Sequence, residues 1–417
     1  MLSTRRATRS ILPGMPGTSR TSRTSLMPLA MATMFAFCGV AGGQSGASKD
    51  GRAAPTSQSV VAAGHAGHAG QAGHASRAGH ASHELPAWLA NATFYTRPSD
   101  RNAALAYYQS FTMLPRDARG KSGNVDWDAV GTNVDGAKMP ESFTQAARAL
   151  SEDYLNRVMM ASRMSVCRWE SSFEDGILML LPYLGDLRAT ARSMRVGARL
   201  AMVEGRPSLA AERLVAMHRM AAHAANDPVL ICSLVGIAIS ELANEETRLL
   251  AESGQLTTGA RDLIIKHLEN MLEQKDPMNS RVAIKGERDL MLGWIEHNFL
   301  HEGGAAELTE LLQPAEGGAA PDLNILTLKS LSVDKLKNAI SDSRRFYDKV
   351  LAVWDMPDAP ERLTALSESV DKDQFGPLAR VIVPSLVNAR RPSTKHRESL
   401  RETIDALRIA KVRDEEK

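Results

Sequence analysis

An all-α fold of packed helical hairpins, partly solenoid-like and preceded by a disordered N-terminal segment, is predicted from three observations. From Leu85 onward apolar residues recur with the 3.6-residue period of a helix, and alternating strand patterns are almost absent. Helix starts are marked where that period begins, as at Pro207 and at Asp227-Pro228. Residues 44–84 contrast with this: they are Gly, Ala, Ser and His with almost no large apolar side chain, a composition that cannot offset its ordering entropy. The chain has 417 residues, 43% hydrophobic and 24% charged, enough for a sizeable core, so disorder throughout is excluded. A formal charge of +2 excludes a strongly basic nucleic-acid binder and a strongly acidic solvating tail.

The N-terminal segment reads as an export signal. Residues 1–43 carry Arg5, Arg6, Arg9, Arg20 and Arg23 and no acid, followed by an apolar run from Leu26 to Val40 and small residues at Val40-Ala41-Gly42-Gly43. The run is shorter than the roughly 20 residues a spanning helix needs, which favours cleavage near Gly42 or Gly43 over a retained anchor. Cys38-Gly39 raises a lipoprotein, but Phe35-Ala36-Phe37 is a poor lipobox. Losing five arginines and no acid takes the formal charge from +2 to −3, so the exported body is mildly acidic. It keeps two cysteines, Cys167 and Cys232, which in an oxidising compartment either pair or serve as small core residues. The localisation expected is therefore periplasmic or secreted.

Residues 44–84 form a linker in which His65, His68, His74, His80 and His83 recur in a Gly-His-Ala pattern. Neutral imidazoles bind Zn²⁺, Ni²⁺ or Cu²⁺, making these five candidate metal ligands, although no carboxylate or thiolate accompanies them to close a defined site.

A main helical domain is expected over 85–302, a flexible Gly/Ala-rich connection over 303–321, and a C-terminal helical segment over 322–417. Pro207 opens a helix with an inner face of Ala210, Leu214, Met217, Ala221 and Ala224. Asp227 is expected as an N-cap with Pro228 at the first helical position, opening a central helix that carries Ile231, Leu234, Ala238 and Leu242 on one face. Ile264, Leu268 and Met271 stripe a third helix. Asp358 and Glu361 suggest a capping box around Pro360, and a last helix is expected from about Ser393 with Leu400, Ile404 and Leu407 inward. None of the apolar runs in the body is long enough to cross a membrane, so no transmembrane body is expected.

Two stretches carry resemblances. Leu200 to Met217, with Gly205, Ala210 and Leu214 at turn and second-helix positions, is similar to a tetratricopeptide hairpin, although no 34-residue period persists. The segments Cys167-Arg168-Trp169, Phe173-Glu174-Asp175-Gly176, Leu180-Leu181-Pro182-Tyr183-Leu184, Glu204-Gly205 and Asp227-Pro228-Val229-Leu230 through Ile239 resemble a group of exported bacterial helical proteins of unknown function. That resemblance covers about residues 100–250. It implies a helical exported protein and transfers no site.

Few motifs carry chemistry. Glu170-Ser171-Ser172-Phe173 with Gly176-Ile177-Leu178-Met179 is similar to segments of lytic transglycosylases, in which a desolvated Glu is the general acid, and makes Glu170 the one catalytic candidate. Leu180 replaces the expected glutamine, and the loop between the two segments is missing. The competing expectation places Trp169 and Phe173, four apart on one helical face, in the core. His297 and His301 have the spacing of two metal ligands on a helix, but both also precede Gly303-Gly304, where cationic side chains favour a helix C-terminus. Asp126, Asp128 and Gly131 match three EF-hand positions while Val130 and Ala137 break the ligand set. Arg390, Arg391, Lys395, Arg397 and Arg401 are offset by Glu398, Glu402 and Asp405, a solvated face rather than a nucleic-acid patch. No cofactor is indicated. The function expected is that of an exported helical binding or scaffold protein without catalytic activity, its partner a protein or peptide of the cell envelope. The alternatives are a peptidoglycan lytic enzyme using Glu170 and a periplasmic metal binder using the His-rich linker.

Overall fold

Thirteen α-helices, one 3-10 helix and no strand make up the described residues of the computed structural model, which are 102–115, 141–312, 323–372 and 374–415. The expected signal segment, the linker histidines His65, His68, His74, His80 and His83, and the Asp126-to-Gly131 loop lie outside them. The all-α class is therefore as the sequence predicts.

The helices are α1 (Ala103–Phe111), α2 (Glu141–Ala149), α3 (Glu152–Ser162), α4 (Pro182–Val203), α5 (Pro207–Ala224), α6 (Leu230–Glu252) and α7 (Thr258–Glu273), then α8 (Ser280–Phe299), α9 (Gly304–Leu312), α10 (Leu323–Leu328), α11 (Val333–Val353), α12 (Ala359–Asp371) and α13 (Gly376–Glu415). Their starts follow local chemistry. Asn102, Ser151, Thr257 and Ser332 cap α1, α3, α7 and α11 through side-chain oxygens that accept backbone N–H groups, and Pro182 and Pro207 sit at first helical positions where the missing N–H costs nothing. The α4–α5 hairpin turns at Gly205, whose φ is +71°. Arg206 N–H donates to Ala201 O at 2.7 Å and Gly205 N–H to Met202 O at 2.9 Å, the paired bonds of a Schellman stop.

Two hydrophobic clusters result. The first joins α1 through α7 with Leu400, Ile404 and Leu407 of α13; the second joins Leu230 of α6 and Ile284, Leu292 and Trp294 of α8 with α9 to α12 and Leu378, Leu386 and Ala389 of α13. α13 thus contributes to both. It begins well before the expected Ser393 and runs through Pro384 and Pro392. Each proline removes an N–H from the helical ladder, and Pro392 is flanked by burial on both sides, at Ala389 and at Leu400. A solenoid repeat contacts only its sequence neighbours, whereas α13 packs on α6 and α7 and α5 packs on α7. This packing does not confirm the solenoid-like part of the expectation.

The inner faces expected on α5 and α7 are buried as predicted. On α6 the expected face Ile231, Leu234, Ala238 and Leu242 is only half-buried, while Val235, Ile239, Ala243 and Leu250 are fully covered. The helix lies between α4, α5, α8 and α13, so a single stripe does not describe it. Asp227 is not its cap: the helix starts at Leu230 after Val229, which has no capping oxygen. Leu230 N–H donates instead to Glu287 Oε1 of α8 at 3.0 Å. Complete burial pushes the Glu287 carboxyl up to about 7. Asp358 does precede α12, but its carboxylate accepts from Arg362 Nε at 2.8 Å rather than from the helix backbone.

The α6 start is pressed against α8 at Gly286, where an added Cβ would lie 1.9 Å from Pro228 O. Backbone cannot yield as a side-chain tip does. Gly286→Ala is expected to destabilise by about 2 kcal/mol or more through this overlap, despite the better helix propensity of alanine. A denaturant midpoint equal to or above wild type would contradict it.

Candidate functional site

The densest group of perturbed side chains surrounds the irregular connection from Arg163 to Ser172, where α1, the start of α4 and the turn between α5 and α6 converge. Irregular backbone inside a helical body must have its polar groups met from elsewhere. Asn102 does much of this: its Oδ1 accepts Arg168 N–H at 2.7 Å and its Nδ2 donates to Arg168 O at 2.5 Å. Ala103 N–H donates to Val166 O at 2.8 Å, and Asn226 Nδ2 to Cys167 O at 3.1 Å.

Trp169 is the anchor. Its ring stacks on Tyr183 with centroids 4.2 Å apart and planes 2° from parallel, and on Tyr107 at 5.6 Å. Its Nε1–H donates to His223 O at 2.8 Å. The expected helical pairing of Trp169 with Phe173 is not what buries them. Residues 164–172 are not helical, and Phe173 opens the 3-10 helix Phe173–Leu178. Trp169 is core because three other elements bring it aromatic and carbonyl partners.

Behind this stack lies Asp227, 7% exposed. Ser171 Oγ–H donates to its Oδ2, as does Tyr183 O–H at 2.7 Å. Since the tyrosine proton goes to Asp227, Cys232 Sγ, 3.3 Å from the same hydroxyl, is the donor to it. Burial pushes the Asp227 carboxyl above its ordinary value, and the Ser171 and Tyr183 bonds pull it back. The Tyr107 hydroxyl is 3.1 Å from His223 Nδ1; burial, with Arg219 adding to it, pulls that imidazole down to about 4, so it is neutral near pH 7. Cys167 and Cys232 are not joined in a disulfide. Burial, reinforced by Asp227, pushes the Cys167 thiol up, which keeps it protonated and unreactive.

Glu170 sits at the edge, exposed, with a φ of +55°. That conformation costs a non-glycine residue about 1–2 kcal/mol, and it reverses the chain so that Trp169 points in and Glu170 points out. Partial desolvation pushes the Glu170 carboxyl above its ordinary value; Arg168 opposes this and Asp227 adds to it. Tyr108 shares the surface at 38% exposure, its hydroxyl donating to Trp169 O at 3.5 Å. Burial raises its pKa first, then the charges of Asp227, Cys167, Asp186 and Glu170.

This arrangement offers an exposed acid and half-exposed aromatic ring over a buried hydrogen-bonded carboxyl. It lacks a nucleophile paired with an accessible base. Ser240, flanked by His218 and His396, has the contacts of an activated hydroxyl, yet Ser240 and His218 are fully buried and no substrate carbonyl reaches them.

His297 and His301 stand on different segments. His297 is exposed in the last turn of α8, whereas His301 lies beyond its end with Nε2 3.1 Å from Asn298 O and 3.6 Å from Glu307 Oε2. Among the described residues no group of three His, Cys, Asp or Glu could hold a metal ion, and no helix is long and apolar enough to cross a membrane.

Sequence reasoning singled out Glu170 but missed Tyr107, Tyr108, Ser171, Tyr183 and His223 as its surroundings, and gave Asp227 the wrong task. The available signal was the local break: Cys167-Arg168-Trp169 and Asp227-Pro228 both interrupt the helical period with polar residues beside aromatic or proline ones. No protein-family model, curated protein or solved structure matches the chain.

Proposed function

We propose that the protein is an exported helical binding module with no chemistry of its own, and that a protein or peptide partner in the cell envelope docks on the surface around Glu170 and Tyr108. The observation that carries this reading is Glu170 itself, a non-glycine residue at positive φ that presents its carboxylate to solvent. A lysine or arginine of the partner satisfies that carboxylate and lies on the ring of Tyr108. Binding of that kind weakens with salt, because the groups are exposed.

The lytic reading keeps Glu170 as general acid and draws on its raised pKa. Against it, a general acid works in a desolvated cleft, and Glu170 is exposed. One experiment separates the two. Protein purified from the envelope fraction, its intact mass showing loss of about the first 43 residues, is tested for capture of an envelope protein and for clearing of peptidoglycan. The expected result is capture reduced at least tenfold by Glu170→Gln and by Tyr108→Ala, with no clearing. Clearing that Glu170→Gln abolishes at unchanged stability replaces the binding reading with the enzymatic one.

A further inference from the structure

The half of α13 after Pro392 is held to the first core by a buried polar seam rather than by apolar contact alone. Ser240 of α6 lies 2.8 Å from His396 Nε2 of α13 and 2.9 Å from His218 Nδ1 of α5. One and two turns further on, Asn244 Nδ2 donates to Ser399 Oγ at 3.1 Å, and Arg248 Nη1 donates to Ser399 Oγ at 3.1 Å and Thr403 Oγ1 at 2.8 Å. His267 of α7 completes the cluster, its ring 5.9 Å from that of His218. Ser240 has one hydroxyl proton, so one of its imidazole partners accepts and the other donates. Nε2 of His218 and Nε2 of His267 are buried with no hydrogen-bond partner among the described residues.

Among the described residues no carboxylate offsets charge on the three imidazoles. The neighbouring acid on α6, Glu241, is engaged by Ser399 and Asn244 with Arg248 close by. Arg219 of α5 and Arg397 of α13 add positive charge, and Arg397 is itself tied to Leu272 O and Gln274 O at the end of α7. Two features let this half move separately from the rest of α13. Pro392 interrupts the helical ladder just before it, and Leu386 and Ala389 seat the preceding half in the second core.

We propose that His218, His267 and His396 form an acid-sensitive latch that fastens residues 393–415 to α6 and α7 while all three imidazoles are neutral, and frees them about Pro392 when they take up protons. Burial pulls His267 and His396 down to about 4 and His218 well below its ordinary value, the last with its two histidine neighbours contributing. A folded-state value below the unfolded one of about 6.5 gives stability that is complete above that pH and drains away as pH falls toward 4. For His267 and His396 the fastened state binds a proton roughly 300-fold more weakly than the released one. Glu287, pushed up to about 7, has the opposite sign, but it faces the start of α6 and Tyr347, away from this seam.

Hydrogen exchange of the full chain, corrected for the intrinsic pH dependence of exchange, tests the latch. Protection of residues 396–410 is expected to fall about 100-fold or more between pH 7 and pH 5, while α11 and α12 keep theirs. Unchanged protection, or equal loss in every core helix, overturns the proposal. His396→Asn, which keeps a polar group at the interface but does not titrate, is expected to shrink the fall at least tenfold; an unaltered fall overturns it. Should that variant not fold, magnetic-resonance titration of the wild-type imidazoles decides: all three are expected to stay neutral down to pH 5, and any one titrating near 6.5 overturns the latch.

Discussion

Trp169→Ala is expected to lower stability by about 3–5 kcal/mol, with a fall in Tm on the order of 10 °C, while Glu170→Gln leaves both within about 0.5 kcal/mol of wild type. The contrast comes from adjacent residues facing opposite ways. Truncating Trp169 removes the partner stacked on Tyr183 and Tyr107 and leaves His223 O with only its longer backbone bond from Asn226 N–H at 3.3 Å. The cavity opens beside Asp227, whose bond from Tyr183 depends on that ring being held in place. Glu170 has an exposed side chain and keeps its backbone conformation as glutamine. Denaturant unfolding of both variants measures this. A silent Trp169→Ala, or a Glu170→Gln as costly as it, shows that the Asp227 hydroxyl network rather than the aromatic stack holds the connection.

Glu246→Gln is expected to cost about 3–5 kcal/mol, since it leaves guanidinium charge uncompensated in the first core. Arg199 and Glu246 are both fully buried, joined by Nε to Oε1 at 2.8 Å and Nη2 to Oε2 at 2.5 Å, and Arg195 adds a bond to Oε2 at 2.9 Å. The pair links α4 to α6. Replacing both residues together, Arg199→Met with Glu246→Leu, is expected to recover most of the loss, because the desolvation of the charges disappears along with their attraction. The measurement is the urea midpoint at constant m value. A single-variant cost under about 1 kcal/mol would mean that water reaches Arg199 once the carboxylate is gone.

The candidate site was legible only in outline. Glu170 stands out through a short motif and Trp169 through its four-residue spacing to Phe173, but that spacing puts the two on one face only of a helix, and the chain there is irregular. What decides the region is distant chain: Asn102 pinning Arg168, His223 receiving Trp169, Asp227 receiving Ser171 and Tyr183. An Asp-Pro pair looks the same in sequence whether the carboxylate caps the next helix or turns toward a tyrosine forty-four residues before it. The local rule for Asp227 failed because Glu287, from α8, already met the first amide of α6.

Local chemistry by itself determined the helical class, the Pro207 start, the Gly205 stop, and the buried stripes on α5, α7 and the end of α13, since each depends on residues within one or two turns of one another. Tertiary structure alone decided where the polar groups go. Nothing in the local pattern around Arg199, His218, Glu246, Glu287 or His396 marks it as interior, and all five are buried. A polar side chain is driven inward only when a partner elsewhere in the chain replaces the water it loses, and for Ser240 and His396 that partner lies 156 residues away.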